Sequence, residues 1–507
     1  MILLTGSALT LDQLLAIADA GERVTIAPDA AERVRAARRV VDAHAGGDEP
    51  VYGINTGFGS FAEVRIPAEA LERLQHNLVR SHAAGVGEPL PRRAVRAAIA
   101  LRANVLAKGF SGIRLATLER LVAILNADIH PVVPSRGSVG ASGDLAPLAH
   151  IALVLIGEGL ATCGDDPSPR PGGEALARAG LTPATLAAKE GLALINGTQP
   201  STAVLALALA GAEALARVAD IAAALSIDAL RGSIHPFERR IHEARPFAGQ
   251  LDSAANIELL MRGSAINASH QVDCSRVQDA YSMRCAAQVH GACRDALAFA
   301  RRTVDIEANA ATDNPMVFTE AGEIVSCGNF HGAPVAIAAD LTAIALTPLA
   351  TISERRIDRL VDPVLSGLPA FLTREGGLRS GLMLAQVTAA ACASELKTLA
   401  HPAGVDTIPT SANKEDHVSM SMTAALKAAA ALDRAREVIA VELLCACQAI
   451  DLLAPLATSP PLARVHALIR TRVPTLDDDR ALAPDLAAIV ALIASREVER
   501  ACGVVVK

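Results

Sequence analysis

The sequence predicts a mainly α-helical protein, and three observations carry that expectation. Hydrophobic residues make up 51% of the 507, Ala and Leu dominate them, and β-branched runs are few, a composition that favours helix. Apolar residues recur at helical spacing over several long stretches. No block reads as strand-rich, and only 2% of the chain is aromatic, with two Tyr and no Trp.

Taken in order, Thr10 or Asp12 can cap a helix through Ala20, and Asp29 opens another towards Ala45. Residues 51–66, which open with Val-Tyr-Gly-Ile-Asn-Thr-Gly-Phe-Gly-Ser, are Gly-rich and read as a loop. Helical spacing returns from Ala68 to Leu125, with breaks at Gly85–Pro91 and Gly109–Gly112. Asp144 caps a run to about Gly159, and Cys163–Gly173, rich in Asp, Pro and Gly, reads as a surface loop. Long apolar helices are expected over Ser201–Leu230, Arg276–Asp305, His331–Asp362, Gly381–Leu399 and Met420–Leu453. Residues 231–250 and 363–380 read as connectors. The whole divides into 1–200, a region of loops and shorter helices, and 201–507, a long central bundle with a C-terminal helical region. Together they are expected to form one continuous unit.

The net charge of −7 and the lack of a long basic block argue against a nucleic-acid partner. The nine Cys form no CxxC pair and the 13 His no HExxH, so no metal site is expected. Reduced thiols point to a cytoplasmic protein. Met1–Ser7 has no basic region and does not read as a signal peptide. Apolar runs such as Ala203–Ala212, closed by Glu213, fall short of a membrane span, so no membrane partner is expected.

The segment with most chemistry is Gly137-Ser-Val-Gly-Ala-Ser-Gly-Asp-Leu-Ala-Pro-Leu-Ala-His150. Within it, Ala141-Ser142-Gly143 is small enough to fold back, so that the Gly143 nitrogen attacks the Ala141 carbonyl. Ring closure and loss of the Ser142 hydroxyl release two waters and leave an exocyclic methylidene. Gly143 must lack a side chain for this approach, and Asp144 stands beside it. Four polar loops precede helices: Gly140–Gly143, Asn196-Gly-Thr-Gln, Cys327-Gly-Asn-Phe-His and Ser411-Ala-Asn-Lys-Glu-Asp. If they converge, their free N–H groups and positive dipole ends make an electropositive pocket suited to an anionic substrate.

Residues 139–150 resemble the signature of the aromatic amino-acid ammonia-lyases and aminomutases. Further segments match in family order. They are Tyr52-Gly-Ile-Asn-Thr-Gly-Phe-Gly, Asn77-Leu-Val-Arg-Ser-His-Ala-Ala-Gly-Val-Gly, Glu190-Gly-Leu-Ala-Leu-Ile-Asn-Gly-Thr-Gln, Gln278-Asp-Ala-Tyr-Ser-Met-Arg-Cys, Gly328-Asn-Phe-His-Gly and Glu415-Asp-His-Val-Ser-Met. The resemblance covers nearly the whole chain. Ser81-His82 and Glu415-Asp416-His417 are similar to the branch that acts on histidine.

The resemblance implies a long-helix bundle assembled as a homotetramer, with active sites shared between subunits and no external cofactor. Its electrophile is a methylidene-imidazolone (MIO) made from Ala141, Ser142 and Gly143, with Asp144 supporting its formation. The implied reaction is loss of ammonia from L-histidine to give trans-urocanate. Tyr52 becomes the base for the β-proton, although a free phenol, with a pKa of about 10, needs cationic or dipolar help. Gln278, Tyr281 and Arg284, at i, i+3 and i+6, share one side of a helix. Arg284 forks to the substrate carboxylate, Tyr281 orients the electrophile or the amine, and Gln278 bonds nearby. Asn196 bonds the carboxylate or the ring carbonyl. His82 and Glu415 grip the imidazole, and Phe330 packs on the ring. By residues alone His82 is as readily an interior histidine, and Phe330 a core residue.

Three positions depart from the histidine branch: Lys414, where Gln is usual; Leu396, where Asn is common; and Ala280, where Pro is common. A cation at 414 could pair with Glu415 and weaken its grip. The alternatives are a lyase or 2,3-aminomutase for another aryl amino acid, and a non-catalytic helical oligomer.

Overall fold

The computed structural model describes residues 1–47, 49–270 and 276–507. It is mainly helical, with a few short strands. Two compact units emerge. The first comprises Met1–Leu207, Arg301–Asp340 and Pro402–Leu426; the second comprises Ala208–Ala300, Leu341–His401 and Lys427–Lys507. The first stretch ends close to the expected boundary at 200, but two later segments join it. Three chain-distant pieces therefore build the first unit.

Within the first unit, the helix Leu11–Asp19 starts at Thr10, whose hydroxyl accepts from the Gln13 N–H while the Gln13 side chain returns to the Thr10 N–H. Such a capping box stabilises a helix start by about 1 kcal/mol. Pro28–Ala45, Leu71–His82, Arg92–Ala107 and Leu115–Asn126 form in turn as expected, with breaks at the foreseen glycines. Arg92–Ala107 is buried almost throughout, including Arg96, Arg102 and Asn104. Ala37, Val41, Ile54, Leu71, Ala188 and Val317 pack into one core cluster.

Cys163–Gly173 is not a plain loop. Leu160–Cys163 and Asp166–Pro171 form an antiparallel hairpin, extended by Ile129–Pro131 on the other side. Asp, Pro and Gly disguised it, because an edge strand tolerates Pro where no ladder N–H is needed.

Asp144 sits at the start of the helix Leu145–Leu155 but makes no cap bond to it. Its carboxylate accepts instead from the Ser138 hydroxyl (2.6 Å) and from the Ser201 N–H (2.7 Å), in the first turn of Gln199–Ala229. One buried acid thus ties the signature loop to the next long helix.

In the second unit, Arg356 and Glu442 make a fully buried two-point ion pair, and Ser226 donates to the same carboxylate. Asp220 accepts from His290, Arg294 and Asn256. Each of these charges is hydrogen-bonded, as burial requires. Gln199–Ala229 and Ala333–Val361 are long and apolar enough to cross a membrane, but 72% and 67% of their most apolar windows are buried. They read as core helices.

Candidate active site

The first unit holds a cavity of about 560 Å3 lined by Tyr52, His82, Ser142, Asn196 and Glu415, with Phe58, Leu74, Leu78 and Leu192 as apolar walls. Five candidate residues spread over more than 360 positions therefore meet.

The signature loop is shaped by its glycines. Gly143 has φ +73°, and a Cβ there would lie 2.3 Å from the Gly197 carbonyl oxygen. Gly140 has φ +67°, and its Cβ would meet the Ser419 and Ser421 hydroxyls at 2.2 and 2.3 Å. Ser419 donates to the Gly140 carbonyl at 2.9 Å, and the Asp144 N–H to the Gly197 carbonyl at 2.8 Å. The tripeptide is clamped on both sides and has no room for a side chain at 143. These residues fit the ring closure that the sequence suggests.

Ser142 Oγ donates to Glu415 Oε1 at 2.8 Å. Glu415 Oε2 accepts from Thr410 Oγ1 (2.6 Å) and Ser411 Oγ (2.9 Å). The loop reaches this geometry through three consecutive left-handed residues: Ser411, Ala412 and Asn413, at φ 49°, 51° and 64°. Non-glycine residues adopt that region at a cost, and such strain gathers at functional sites. Lys414 is exposed and makes no ion pair with Glu415, whose partners are three hydroxyls.

His82 Nδ1 lies 2.8 Å from the Leu78 carbonyl. A carbonyl only accepts, so Nδ1 carries the hydrogen and Nε2 keeps its lone pair. Burial lowers the His82 pKa, against smaller upward effects of that carbonyl and of Glu415. The ring is therefore a neutral acceptor near pH 7.

Burial pushes the Tyr52 phenol up, and the Glu415 charge adds to the rise, while the Gly59 N–H opposes it. The expected cationic help is missing here: no Lys or Arg lines the cavity among the described residues. Three of the four polar loops do converge, through Ser142, Asn196 and Ser411–Glu415, but their side chains bring a carboxylate rather than positive charge. The fourth loop contributes no lining residue. Phe330 on it is half-buried and outside the lining.

Asn196 donates Nδ2 to the Asn314 carbonyl at 3.0 Å. That contact fixes the amide and leaves Oδ1 buried without a partner. Asn314, Leu192, Asn77 and Ser411 also line the cavity, and the sequence reading does not single them out. Asn77, Leu192 and Ser411 lie within its motifs and polar loops; Asn314 lies in none.

Gln278, Tyr281 and Arg284 belong to the second unit. They do not share one helix face, because the helical turn spans only Tyr281–Arg284. Arg284 instead folds back, donating Nε to the Asp279 carbonyl (2.9 Å) and a terminal N–H to Gln278 Oε1 (3.1 Å). Its guanidinium lies 4.7 Å from the centroid of the Tyr281 ring. Tyr281 is 69% exposed. Gln278 and Arg284 line a different pocket, in the second unit.

The aromatic amino acid lyase family model matches residues 9–471. A histidine ammonia-lyase from Anaeromyxobacter dehalogenans (strain 2CP-C) is 57% identical over 498 residues, 97% of this chain and 98% of that protein. The crystal structure of histidine ammonia-lyase from Trypanosoma cruzi superposes with a TM-score of 0.92 at 44% identity, covering 99% of this chain and 95% of that one. Tyrosine aminomutase from Streptomyces globisporus gives 0.94 at 38% identity, with both chains fully covered. The chain belongs to the aromatic amino acid lyase family.

Proposed function

We propose that this protein is a histidine ammonia-lyase, a carbon–nitrogen lyase that converts L-histidine to trans-urocanate and ammonia in the cytoplasm, as a step of histidine breakdown. The observation that carries the reading is the meeting of Ser142, His82 and Glu415 in one cavity. A tyrosine or phenylalanine side chain has no ring N–H for two acceptors to hold. An imidazole does: it donates one N–H in the neutral form and two as imidazolium, and the lone pair on His82 and the carboxylate of Glu415 are the acceptors that meet it. Full-length likeness to histidine ammonia-lyases supports the same substrate.

Ala141, Ser142 and Gly143 fit the MIO group, with Gly143 seated where no Cβ can go. Once formed, that group supplies an electrophilic carbon that takes up the substrate's amine, a poor leaving group on its own. Loss of the Ser142 hydroxyl also removes one hydrogen bond from Glu415 Oε1 and frees it for a substrate N–H. Asp144 supports ring formation by holding the loop through Ser138 and Ser201; burial raises its pKa, and those two bonds oppose the rise.

Tyr52 holds its proton at rest and must lose it to take the β-proton. The cation that lowers its pKa is Arg284, brought with Tyr281 and Gln278 from another subunit of a homotetramer. Arg284 also forks to the substrate carboxylate. Phe330 packs on the substrate ring in the same assembly.

The test is incubation with L-histidine, L-phenylalanine and L-tyrosine, following absorbance of the conjugated acid and chromatography for β-amino acids. Urocanate from L-histidine alone is expected. Turnover of another amino acid, or a β-amino product, overturns the substrate or the outcome respectively.

A further inference from the structure

A group of buried charges beneath the cavity takes no part in the reaction steps assigned to the lining residues. Lys189, Arg102 and Asp313 are all fully buried. Lys189 Nζ lies 3.5 Å from Asp313 Oδ2, and an Arg102 terminal nitrogen lies 3.9 Å from the same oxygen. Two basic side chains thus face one carboxylate, and burial works against the charge on both of them.

The geometry leads to Asn196 by two routes. Asp313 Oδ1 accepts the Asn314 N–H at 2.7 Å. That fixes the residue whose carbonyl takes Asn196 Nδ2 at 3.0 Å. Arg102 donates Nε to the Ala193 carbonyl (3.0 Å) and a terminal N–H to Gln199 Oε1 (2.9 Å), holding the chain on both sides of Asn196. Lys189 stands immediately before the buried helix Glu190–Ile195 that ends at Asn196, and its backbone is left-handed there (φ 68°). The Asn196 oxygen stays unpartnered in the cavity wall as a result.

We propose that Lys189 is a positioning residue, holding Asp313 so that Asn314 aims the Asn196 amide. This rests on the lyase reading of the site.

The experiment is a double-mutant cycle between Lys189→Met and Asn196→Ala, with kcat and KM measured on L-histidine. The intact mass of each variant checks that the two waters are lost. Each single variant is expected to lower kcat by roughly 10- to 100-fold, with KM changed about 3-fold or less. The double variant should be hardly worse than the Asn196→Ala protein, because both changes act through the same amide. Lys189→Arg, which keeps the charge, should recover part of the loss. Losses that multiply, or a folded Lys189→Met protein with wild-type kcat, overturn the proposal. If Lys189→Met does not fold, the cycle is run on Lys189→Met/Asp313→Asn, which leaves neither buried charge unpaired. Asn196→Ala should then change kcat little, and a multiplied loss again overturns the proposal. A wild-type protein inactive on L-histidine would instead defeat the lyase reading itself.

Discussion

The cavity of the first unit and the 276–284 segment of the second carry the same kind of residue in opposite states. Around the cavity, side chains are already held: Ser142 by Glu415, Glu415 by Thr410 and Ser411, His82 by the Leu78 carbonyl, Asn196 by Asn314. In 276–284, among the described residues, Arg284 bonds to its own neighbours, Tyr281 is 69% exposed, and Val277 is 97% exposed. On the proposed reading, the half that grips the ring is preorganised within one chain, and the half that binds the carboxylate is displayed outward. Preorganisation matters most where charge and protons move. Display is what a residue needs if it completes a site in another subunit.

That contrast can be broken in order of expected effect. Ser142→Ala removes the hydroxyl whose loss makes the methylidene; turnover should fall by about 10³-fold or more, with the fold and thermal midpoint retained. Arg284→Ala removes a charge-assisted fork to the substrate; KM should rise by roughly 10- to 100-fold. Mixing inactive Ser142→Ala with Arg284→Ala subunits, assayed at substrate well below the raised KM, should restore part of the activity, as sites shared between subunits require. No recovery after subunit exchange would place both residues in one chain's site. Glu415→Gln weakens the ring grip; kcat/KM for L-histidine should drop by about 10-fold or more.

A pH profile sharpens the same comparison. Burial lowers the His82 pKa below the ordinary histidine value of about 6.5, so the neutral, accepting ring persists into mild acid. Activity that depends on it is present above its folded pKa and lost as pH falls through it. Relative to a His82→Gln enzyme, the wild type should therefore show an extra acid limb that lies below about pH 6.5. An extra limb above that value would mean that His82 is held protonated instead. Lys414→Gln is the smallest change: the side chain is exposed and unpaired with Glu415, and kcat/KM should stay within about 2-fold.

Much of this was legible in the sequence for a physical reason. Long helices announce themselves by apolar spacing, and the expected bounds fell within a few residues at Ser201–Leu230, His331–Asp362 and Met420–Leu453 against Gln199–Ala229, Ala333–Val361 and Ser421–Leu452. Tyr52, His82, Ser142, Asn196 and Glu415 were legible because each lies in a motif of small and polar residues; Asn314, which lies in none, was not. What stayed hidden depends on partners far along the chain. Asp144 looked like a local cap, yet bonds to Ser201, 57 positions on. Gln278 looked helical by spacing alone, and the helical turn begins only at Tyr281. Lys189 and Asp313 lie in none of the quoted motifs, and packing alone shows that both are buried against each other. The hairpin at 160–171 was masked by its own prolines.

The central claim is that the chain makes its own electrophile from Ala141-Ser142-Gly143. Intact mass spectrometry of the purified wild-type protein beside Ser142→Ala tests it most directly. The wild type should weigh two water molecules less than its sequence, and Ser142→Ala should lack the loss that comes from the serine hydroxyl. A wild-type protein of full sequence mass that still released ammonia from L-histidine would contradict the account.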